Sequence, residues 1–198
     1  MIDKVTYERW INEYINDVDL NKKEYLLLNK DEMIDFIKDN YYDDITKRFV
    51  TGYSDISLIG LQYIDYSILY YEYDRINDYL RFLLCTVPNN KGTKTVISAI
   101  RYYDEFNIYK NQKEPLTYLE YVETSTFFRN KGLYKEIVKE LVKYIDKNRK
   151  VLTTTESIIG QRCNTYNLLC ETLRENNFTN DIRSERDLTK EYKLMLTK

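Results

Sequence analysis

The residues whose types and spacing most suggest chemistry lie in the run YLEYVETSTFFRNKGLY, at 118–134. A β-branched and aromatic stretch ends at Thr124, a short loop containing Arg129, Lys131 and Gly132 follows, and a helical pattern then begins. The first N–H groups of a helix have no intrahelical acceptor, so they bind anions, and the helix dipole strengthens the attraction. A glycine there lets a phosphate oxygen approach the main chain. The stretch therefore predicts a site for a phosphate or diphosphate group.

The Arg-x-x-Gly motif has little specificity by itself, because a chain of 198 residues contains such a match by chance about once. The sequence has neither the G-x-G-x-x-G dinucleotide fingerprint nor the G-x-x-x-x-G-K-[ST] phosphate loop. A glycine that only makes a turn is the alternative interpretation. The predicted anion site therefore depends on the elements around it.

The composition of the chain excludes several kinds of catalysis and disfavours some partners. There is no histidine, so the protein cannot use a Ser-His or Cys-His pair, a histidine-bearing zinc site or an imidazole base. The 30 basic and 32 acidic residues give a formal net charge of -2, and we expect no nucleic-acid partner. No apolar stretch of about 18 residues and no signal-peptide pattern occurs, so we expect no membrane segment.

The three cysteines are odd in number and lack C-x-x-C spacing, which favours reduced thiols in a cytoplasmic protein. Cys163 and Cys170 are seven residues apart on a predicted helix, so they share a face and are expected to pack as small apolar residues. A covalent acyl-cysteine would need a nearby base and an electropositive setting, and the sequence indicates neither. We expect neither a cysteine nucleophile nor a metal site.

The elements that must position the site are predicted from apolar periodicity. The first fifty residues are predicted to be helical, with Asp31 capping a second helix. The apolar residues of 53–75 fit the spacing of a helix and that of a strand equally well. Strands are predicted over 79–87, 95–103, 116–124, 151–155 and 191–197, with a PNNKGT turn after the first and a polar loop through 110–114. Helices are predicted over 131–148 and 162–175. This order indicates an α/β fold with a mixed, mostly antiparallel central sheet flanked by helices, after a helical N-terminal segment.

Residues 79–197 resemble the GNAT family of acyl-CoA-dependent N-acetyltransferases. That family carries the signature [Q/R]-x-x-G-x-[G/A] between its fourth strand and the following helix. The matching residues here are Arg129, Asn130, Lys131, Gly132, Leu133 and Tyr134. A strand, a helix, a Gly-Phe-like step at Asn177–Phe178 and a final strand follow in the family's order. The resemblance implies one GNAT-like domain over 1–198, in which 79–198 binds acetyl-CoA and 1–75 shapes the acceptor side.

Two positions depart from the family pattern. Tyr134 stands where the family has a small residue beside the diphosphate, so its side chain must turn into the core. Many members carry a general-acid tyrosine five residues before the Phe of the Gly-Phe step, and Leu173 stands there in this chain. The usual proton donor to the leaving thiolate is therefore missing, unless Tyr166 or another tyrosine replaces it.

The resemblance implies direct transfer of an acetyl group from acetyl-CoA to an amine. The strand before the loop splays from its neighbour, and Val122, Glu123 and Thr124 are expected to bind the pantetheine arm through their backbone. Without histidine, the base must be a carboxylate or water. Glu120 and Glu123 are the candidates on that strand, expected on opposite faces because their separation is odd, and Glu156 is a third. A carboxylate at each of these positions is more often solvated or salt-bridged than catalytic.

Three hypotheses of function therefore stand. The first is an acetyl-CoA-dependent N-acetyltransferase whose acceptor is a small-molecule or peptide amine, acting as a monomer or homodimer. The second is a non-catalytic GNAT-like module that binds CoA or a protein partner, and the third is a nucleotide-binding protein. The acidic runs at 17–19 and 43–44 are interpreted as solvent-facing charge. Gly132→Val is predicted to block cofactor binding, because its Cβ atoms would intrude on the phosphate position.

Overall fold

The structure is a computed structural model that describes residues 3–50, 80–109, 112–145, 150–155, 171–175, 179–181 and 192–197. Its α-helices are α1 (Lys4–Tyr14), α2 (Lys30–Tyr41) and α3 (Leu133–Leu141), with a further helical stretch at 171–175. Short 3-10 helices cover Leu20–Lys22 and Thr126–Phe128. The strands are β1 (Glu24–Leu28), β2 (Tyr42–Asp43), β3 (Arg48–Phe49), β4 (Leu80–Pro88), β5 (Lys94–Tyr109), β6 (Gln112–Thr124), β7 (Lys150–Thr155), β8 (Thr179–Asp181) and β9 (Tyr192–Thr197).

Seven of the described strands form one sheet in the order β1-β4-β5-β6-β7-β9-β8. All neighbours pair antiparallel except β6 and β7, which are parallel. A parallel pair needs a crossover connection, and α3 lies in the chain between these two strands. The predicted fold, a mixed and mostly antiparallel sheet flanked by helices, is confirmed.

The hairpin formed by β5 and β6 is longer than predicted. The register runs without a break from Tyr102↔Leu119 to Tyr109↔Gln112, so the predicted polar loop through 110–114 is wrong for residues 112–114. Polar residues disfavour strands only weakly, and a continuous ladder of cross-strand hydrogen bonds outweighs that preference.

The N-terminal segment is only partly helical. Trp10 and Tyr14 of α1 and Met33 and Ile37 of α2 are buried, as their periodicity predicts. Between these helices, however, the apolar residues of β1 pair with β4. Such a short apolar run fits a strand as well as a helix. The predicted cap Asp31 is also wrong, because Asn29 caps α2 and Glu32 closes a capping box with it.

Helix α3 is shorter than the predicted 131–148. It begins at Leu133, since Gly132 has φ +77°, a left-handed conformation that no α-helical residue has. After Leu141 the chain tightens into i→i−3 turns at Lys143 and Tyr144. The predicted apolar face nevertheless packs on the core: Tyr134 is partly buried there, and the fully or nearly fully buried members are Ile137, Val138, Leu141 and Ile145.

The acidic run at 43–44 does not face solvent as a whole. Asp43 is buried, and its carboxylate accepts hydrogen bonds from both terminal nitrogens of Arg9, from Trp10 Nε1 and from Thr46 Oγ1. Burial favours the neutral acid, but these hydrogen bonds outweigh burial and hold the pKa of Asp43 well below its usual range. Asp43 therefore joins α1 to β2, whereas Asp44 is exposed as predicted.

The predicted element at 53–75 and the cysteines Cys163 and Cys170 lie outside the described residues. Cys85 is a free, buried thiol. None of the helices in the described ranges combines the length and the apolar character that a membrane crossing requires.

Candidate functional site

A wedge opens in the sheet between β6 and β7. Their parallel pairing begins at Leu116↔Lys150 and ends at Leu119↔Thr153. Beyond that point β6 continues to Thr124 and, among the described strands, pairs there with β5 alone, whereas β7 continues paired with β9. The register of β6 with β5 also shifts here, from Tyr102↔Leu119 to Arg101↔Tyr121, which makes Glu120 the extra residue of a β-bulge. The pairing of β6 with β7 therefore ends ahead of the loop, as the expected splay requires, and a bulge lies where it ends.

The backbone of β6 alternates between its partner strand and the wedge. The N–H of Ser125 donates to the carbonyl of Ile97 on β5, at 3.0 Å. In an antiparallel pair every second residue turns both backbone groups to its partner. Glu123 therefore turns its N–H and C=O toward β5, and Val122 and Thr124 turn theirs toward the wedge. Of the three residues predicted to offer backbone groups to a ligand, Val122 and Thr124 have the required orientation and Glu123 does not.

Two hydroxyl groups hold the end of β6 against β5. Ser98 Oγ donates to the carbonyl oxygen of Glu123 at 2.7 Å and lies 3.1 Å from Thr124 Oγ1. Ser98 is fully buried. These contacts fix the strand edge that borders the wedge, so Val122 and Thr124 are presented by a rigid element.

The loop from β6 to α3 folds so that the start of the helix is left open. Phe128 is buried and anchors the loop, while Asn130 and Gly132 both have positive φ, +63° and +77°. Gly132 is the N-cap residue and has no side chain to accept from the first-turn N–H groups. The first intrahelical bond is donated by Glu136 to the Gly132 carbonyl, so the N–H groups ahead of Glu136 have no acceptor within the helix. An uncapped helix start of this kind attracts anions.

The residues around this helix start fit a diphosphate. Beyond its chain neighbours, a Cβ on Gly132 would meet no atom of the part of the chain that the structure describes within 4 Å, so these residues leave the space in front of its Cα open. Arg129 and Lys131 are both exposed beside it. Arg129 Nε donates to the carbonyl of Thr124 at 3.4 Å, and Lys131 Nζ lies 5.7 Å from the centre of the Phe128 ring. The two cations therefore flank the passage from the wedge to the helix start.

The two residues that follow Gly132 pack inward. Leu133 is buried, and Tyr134 is partly buried against the hydrophobic core. The expectation that Tyr134 turns toward the core, rather than into the diphosphate position, is confirmed. Both residues can contribute backbone N–H groups to the candidate anion site.

The two faces of the sheet can be assigned near the wedge. Tyr25 OH lies 3.5 Å from Glu136 Oε2 on α3, which places Tyr25 on the α3 face of the sheet. The register links Tyr25 directly across the sheet to Cys85, Ser98 and Thr124. Directly opposite residues share a face, so Thr124 also lies on the α3 face. Glu123 pairs with Ala99 and therefore lies on the other face.

Of the predicted bases, Glu123 is the one whose surroundings the structure describes. It is half-buried, and its Oε2 atom is shielded from solvent. The bulge at Glu120 interrupts the alternation from which opposite faces were predicted for the two glutamates, so their odd separation no longer assigns them. Glu156 and Tyr166 lie outside the described residues.

The position at which many family members carry a tyrosine is apolar. Leu173 lies in the helical stretch 171–175 and is fully buried in the hydrophobic core.

Two features near the wedge were not predicted: the bulge at Glu120 and the serines Ser98 and Ser125. A bulge depends on the register between two strands, and no local pattern in the sequence signals it.

Comparison with solved structures finds likeness to GNAT-fold proteins at low identity. The AtaT toxin, as a mutant bound to the C-terminus of the antitoxin AtaR and acetyl-CoA, has 10% identity, covering 88% of this chain and 92% of its own, with a TM-score of 0.49. The KacTA-DNA complex has 9% identity, 87% and 92% coverage and a TM-score of 0.48. Arabidopsis thaliana NAA60, in complex with a bisubstrate analogue, has 9% identity, 88% and 98% coverage and a TM-score of 0.44.

Scans of the sequence against protein-family models and against curated proteins find no match. The likeness to solved structures concerns the overall fold alone. The strand order, the parallel pair whose pairing ends at the wedge and the helix that starts beside it are the arrangement that the GNAT resemblance implies.

Proposed function

We propose that the protein is an N-acyltransferase that moves an acetyl group from acetyl-CoA to a primary amine of a small molecule or peptide. The observation that carries this proposal is the wedge between β6 and β7, which opens beside the uncapped start of α3. A strand edge whose backbone groups turn away from β5 suits the amide-bearing pantetheine arm, and an uncapped helix start suits the diphosphate. The strand edge would therefore bind the pantetheine arm of the coenzyme, and the helix start would bind its diphosphate.

We assign residues to each part of the coenzyme from their positions along the wedge and at the start of α3. The first-turn N–H groups from Leu133 onward, with Asn130 and Gly132 in the open loop, would hold the diphosphate. Arg129 and Lys131 would add positive charge beside it. The backbone groups of Val122 and Thr124 would pair with the pantetheine arm along the wedge. When bound, the coenzyme supplies a thioester carbonyl that an amine can attack.

The chain's own groups then handle the proton and the charge. The amine nitrogen forms a bond to the thioester carbonyl carbon as the carbon–sulfur bond breaks, and a backbone N–H in the wedge polarises the carbonyl oxygen. Glu123 or Glu120 accepts the proton that the amine loses, directly or through water. The leaving thiolate takes a proton from solvent or from a tyrosine such as Tyr166.

Leu173 supports a second candidate function. Because a buried leucine occupies the position of the usual tyrosine, the protein lacks that proton donor. A GNAT-type module that binds CoA or a protein partner without catalysis would need no donor. This alternative predicts coenzyme binding without turnover.

The experiment that separates the two measures coenzyme binding and acetyl transfer in parallel. Acetyl-CoA turnover is followed over a panel of small and peptide amines, with coenzyme affinity measured by calorimetry. Glu123→Gln and Glu120→Gln keep the shape of each side chain and remove its basicity, so one of them is expected to lose turnover while both keep coenzyme affinity. Full turnover in both variants would contradict the base assignment, and binding without any turnover would favour the module. Failure to bind coenzyme would refute both the acyltransferase and a module that binds CoA.

A further inference from the structure

A negatively charged side chain lies beside the proposed diphosphate site. Glu136 is the acidic residue in the first turn of α3, and its N–H donates to the Gly132 carbonyl at 3.1 Å, one turn from the N-cap. Side chains on a helix lean toward its N-terminus, so the Glu136 carboxylate turns back toward the open helix start. A carboxylate there stabilises the helix dipole, but it also repels a bound anion. An anion site in this position therefore needs a countercharge for Glu136.

Lys23 supplies that countercharge from the N-terminal segment, between the 3-10 helix at Leu20–Lys22 and β1. Its Nζ atom lies 2.5 Å from Glu136 Oε2, and Tyr25 OH donates to the same oxygen at 3.5 Å. The side chains of Lys23 and Glu136 are 25% and 44% exposed, so the pair is partly shielded from solvent. Salt screens such a pair less than it screens a fully exposed one. The contact joins residues that are distant in sequence, and it brings a cation to the flank of α3.

A second carboxylate on α3 is neutralised from just beyond the end of the helix. Glu140 lies one turn further from the helix start, and Lys143 Nζ lies 2.5 Å from Glu140 Oε2. Four residues of α-helix add about 6 Å of distance, and the interaction between charges falls with distance. Glu140 therefore matters less to an anion at Gly132, and its pair offers an internal comparison for the Lys23–Glu136 pair.

We propose that Lys23 determines how tightly the coenzyme binds, through Glu136: by neutralising this carboxylate, it removes a negative charge that would oppose the diphosphate. Lys23 acts through another side chain and is not itself a ligand of the coenzyme. The inference rests on the diphosphate position in the proposed function, but not on catalysis. It gives the N-terminal segment, from which only a contribution to the acceptor side was expected, an effect on coenzyme affinity.

The test is a calorimetric titration of inorganic pyrophosphate, and separately of coenzyme A, into the full chain at low salt. Lys23→Met keeps an apolar side chain of similar length and leaves Glu136 unpaired, so the dissociation constant of each ligand is expected to rise about three- to tenfold. Glu136→Gln removes the carboxylate and leaves Lys23 charged, so each dissociation constant is expected to fall by a similar factor. The double variant is expected to bind like the parent protein. In about 1 M salt these differences should disappear, because the Debye length falls to about 3 Å.

The opposite signs separate this role from a purely structural one. If the ion pair only held the fold together, Lys23→Met and Glu136→Gln would change affinity in the same direction, and that result would overturn the proposal. Lys23→Arg keeps the charge and is expected to bind like the parent protein. Lys143→Met is the matched control, since it leaves Glu140 unpaired one turn further along, and its dissociation constants should stay within about twofold of the parent values. A loss of affinity as large as that of Lys23→Met would also overturn the proposal.

The two ligands distinguish failure of this inference from failure of the proposed function. Pyrophosphate binding without coenzyme A binding would refute the coenzyme site, while opposite signs with pyrophosphate would still support the role of Lys23. Equal affinities in the parent protein, Lys23→Met and Glu136→Gln would overturn the role of Lys23 and leave the proposed function standing. If the parent protein binds neither ligand, both are refuted. Denaturant unfolding shows whether each variant is folded, and Glu136→Gln carries the test if Lys23→Met is not.

Discussion

Gly132 shows how a single residue type can shape a candidate binding site. Its φ of +77° is a conformation that glycine adopts without penalty and other residues avoid. Apart from its chain neighbours, no atom of the described residues lies within 4 Å of the place where a Cβ would stand, so packing against these residues does not require glycine there. Two reasons for a glycine at this position remain: the left-handed backbone conformation, and the open space that a side chain would fill in front of the helix start. A comparison with a second glycine can separate them.

Gly92 is that second glycine, in the turn between β4 and β5, with φ +84° and no atom within 4 Å of the position that a Cβ would occupy. Gly132→Ala and Gly92→Ala should each lose about 1 kcal/mol of unfolding free energy from the left-handed backbone. Only Gly132→Ala should also lose affinity for coenzyme A, because only its methyl group enters the anion site. Chemical denaturation and calorimetry measure the two effects. Equal coenzyme affinity in both variants would contradict the placement of the diphosphate.

Cys85 allows a prediction about reactivity. Burial raises the pKa of its thiol to about 11, although a hydrogen bond with Tyr25 opposes the rise. At pH 8 the group is therefore a protonated thiol, and it is also shielded from reagents. Peptide mapping after brief treatment with iodoacetamide should find Cys85 unmodified in the native protein and modified after unfolding. Labelling at equal rates in both states would show that β1 does not cover it.

The helices and strands show where sequence patterns were sufficient. The stripe of apolar residues in α3 predicted its buried face, and strands β4, β7 and β9 were predicted to within a residue or two where described. The strand β1 was missed, because three consecutive leucines have no period that distinguishes a strand from a helix. The end of α3 was also misplaced, since apolar spacing persists to Ile145 although the hydrogen bonds have changed to tighter turns.

The contact between α1 and β2 gives a pH-dependent prediction. Asp43→Asn is expected to lower the unfolding free energy at pH 7 by about 3 kcal/mol, because Arg9 would be left facing a neutral amide in a largely buried position. The pKa of Asp43 is lowered in the folded state from the ordinary value of 3.8, so its contribution is complete above that pH and is lost as pH falls below it. The difference between parent and variant should therefore shrink below about pH 4.

Asp44→Asn is the matched control for this measurement. Asp44 is the exposed neighbour of Asp43, so its replacement should leave the unfolding free energy nearly unchanged at both pH values. Denaturant unfolding monitored at about pH 7 and about pH 3 gives the comparison. A loss in Asp43→Asn that is the same at both pH values would show that the carboxylate charge is not the source of the stability.

The assembly of the site is a property of the complete sheet. The anion-binding loop could be predicted, because R-x-x-G before an amphipathic helix is local. The wedge was expected only from the GNAT resemblance, since the separation of β6 from β7 depends on where two distant strands stop pairing. The bulge at Glu120, and with it the relation between the two glutamates, was not predictable from strand alternation. Local patterns thus indicate where the candidate site lies, and the sheet's register determines the geometry of that region.

The complete site should distinguish coenzyme A from its parts. A ligand at about 100 times its dissociation constant stabilises the folded state by about 2.7 kcal/mol, which for a chain of this size corresponds to a rise in Tm of roughly 5 to 10 °C. Coenzyme A is expected to produce such a rise, whereas pantetheine, which lacks the diphosphate, should produce much less at the same concentration. A larger rise with ATP than with coenzyme A, measured by differential scanning calorimetry, would support the nucleotide-binding alternative.

A crystal structure of the protein grown with coenzyme A tests the central claim most directly. Oxygens of the diphosphate are expected about 3 Å from main-chain nitrogens at the start of α3, with the pantetheine arm lying along Val122 and Thr124 in the wedge. Arg129 and Lys131 should lie beside the phosphates. Well-ordered crystals that show the coenzyme bound elsewhere, or bound with its diphosphate away from Gly132, would contradict the account.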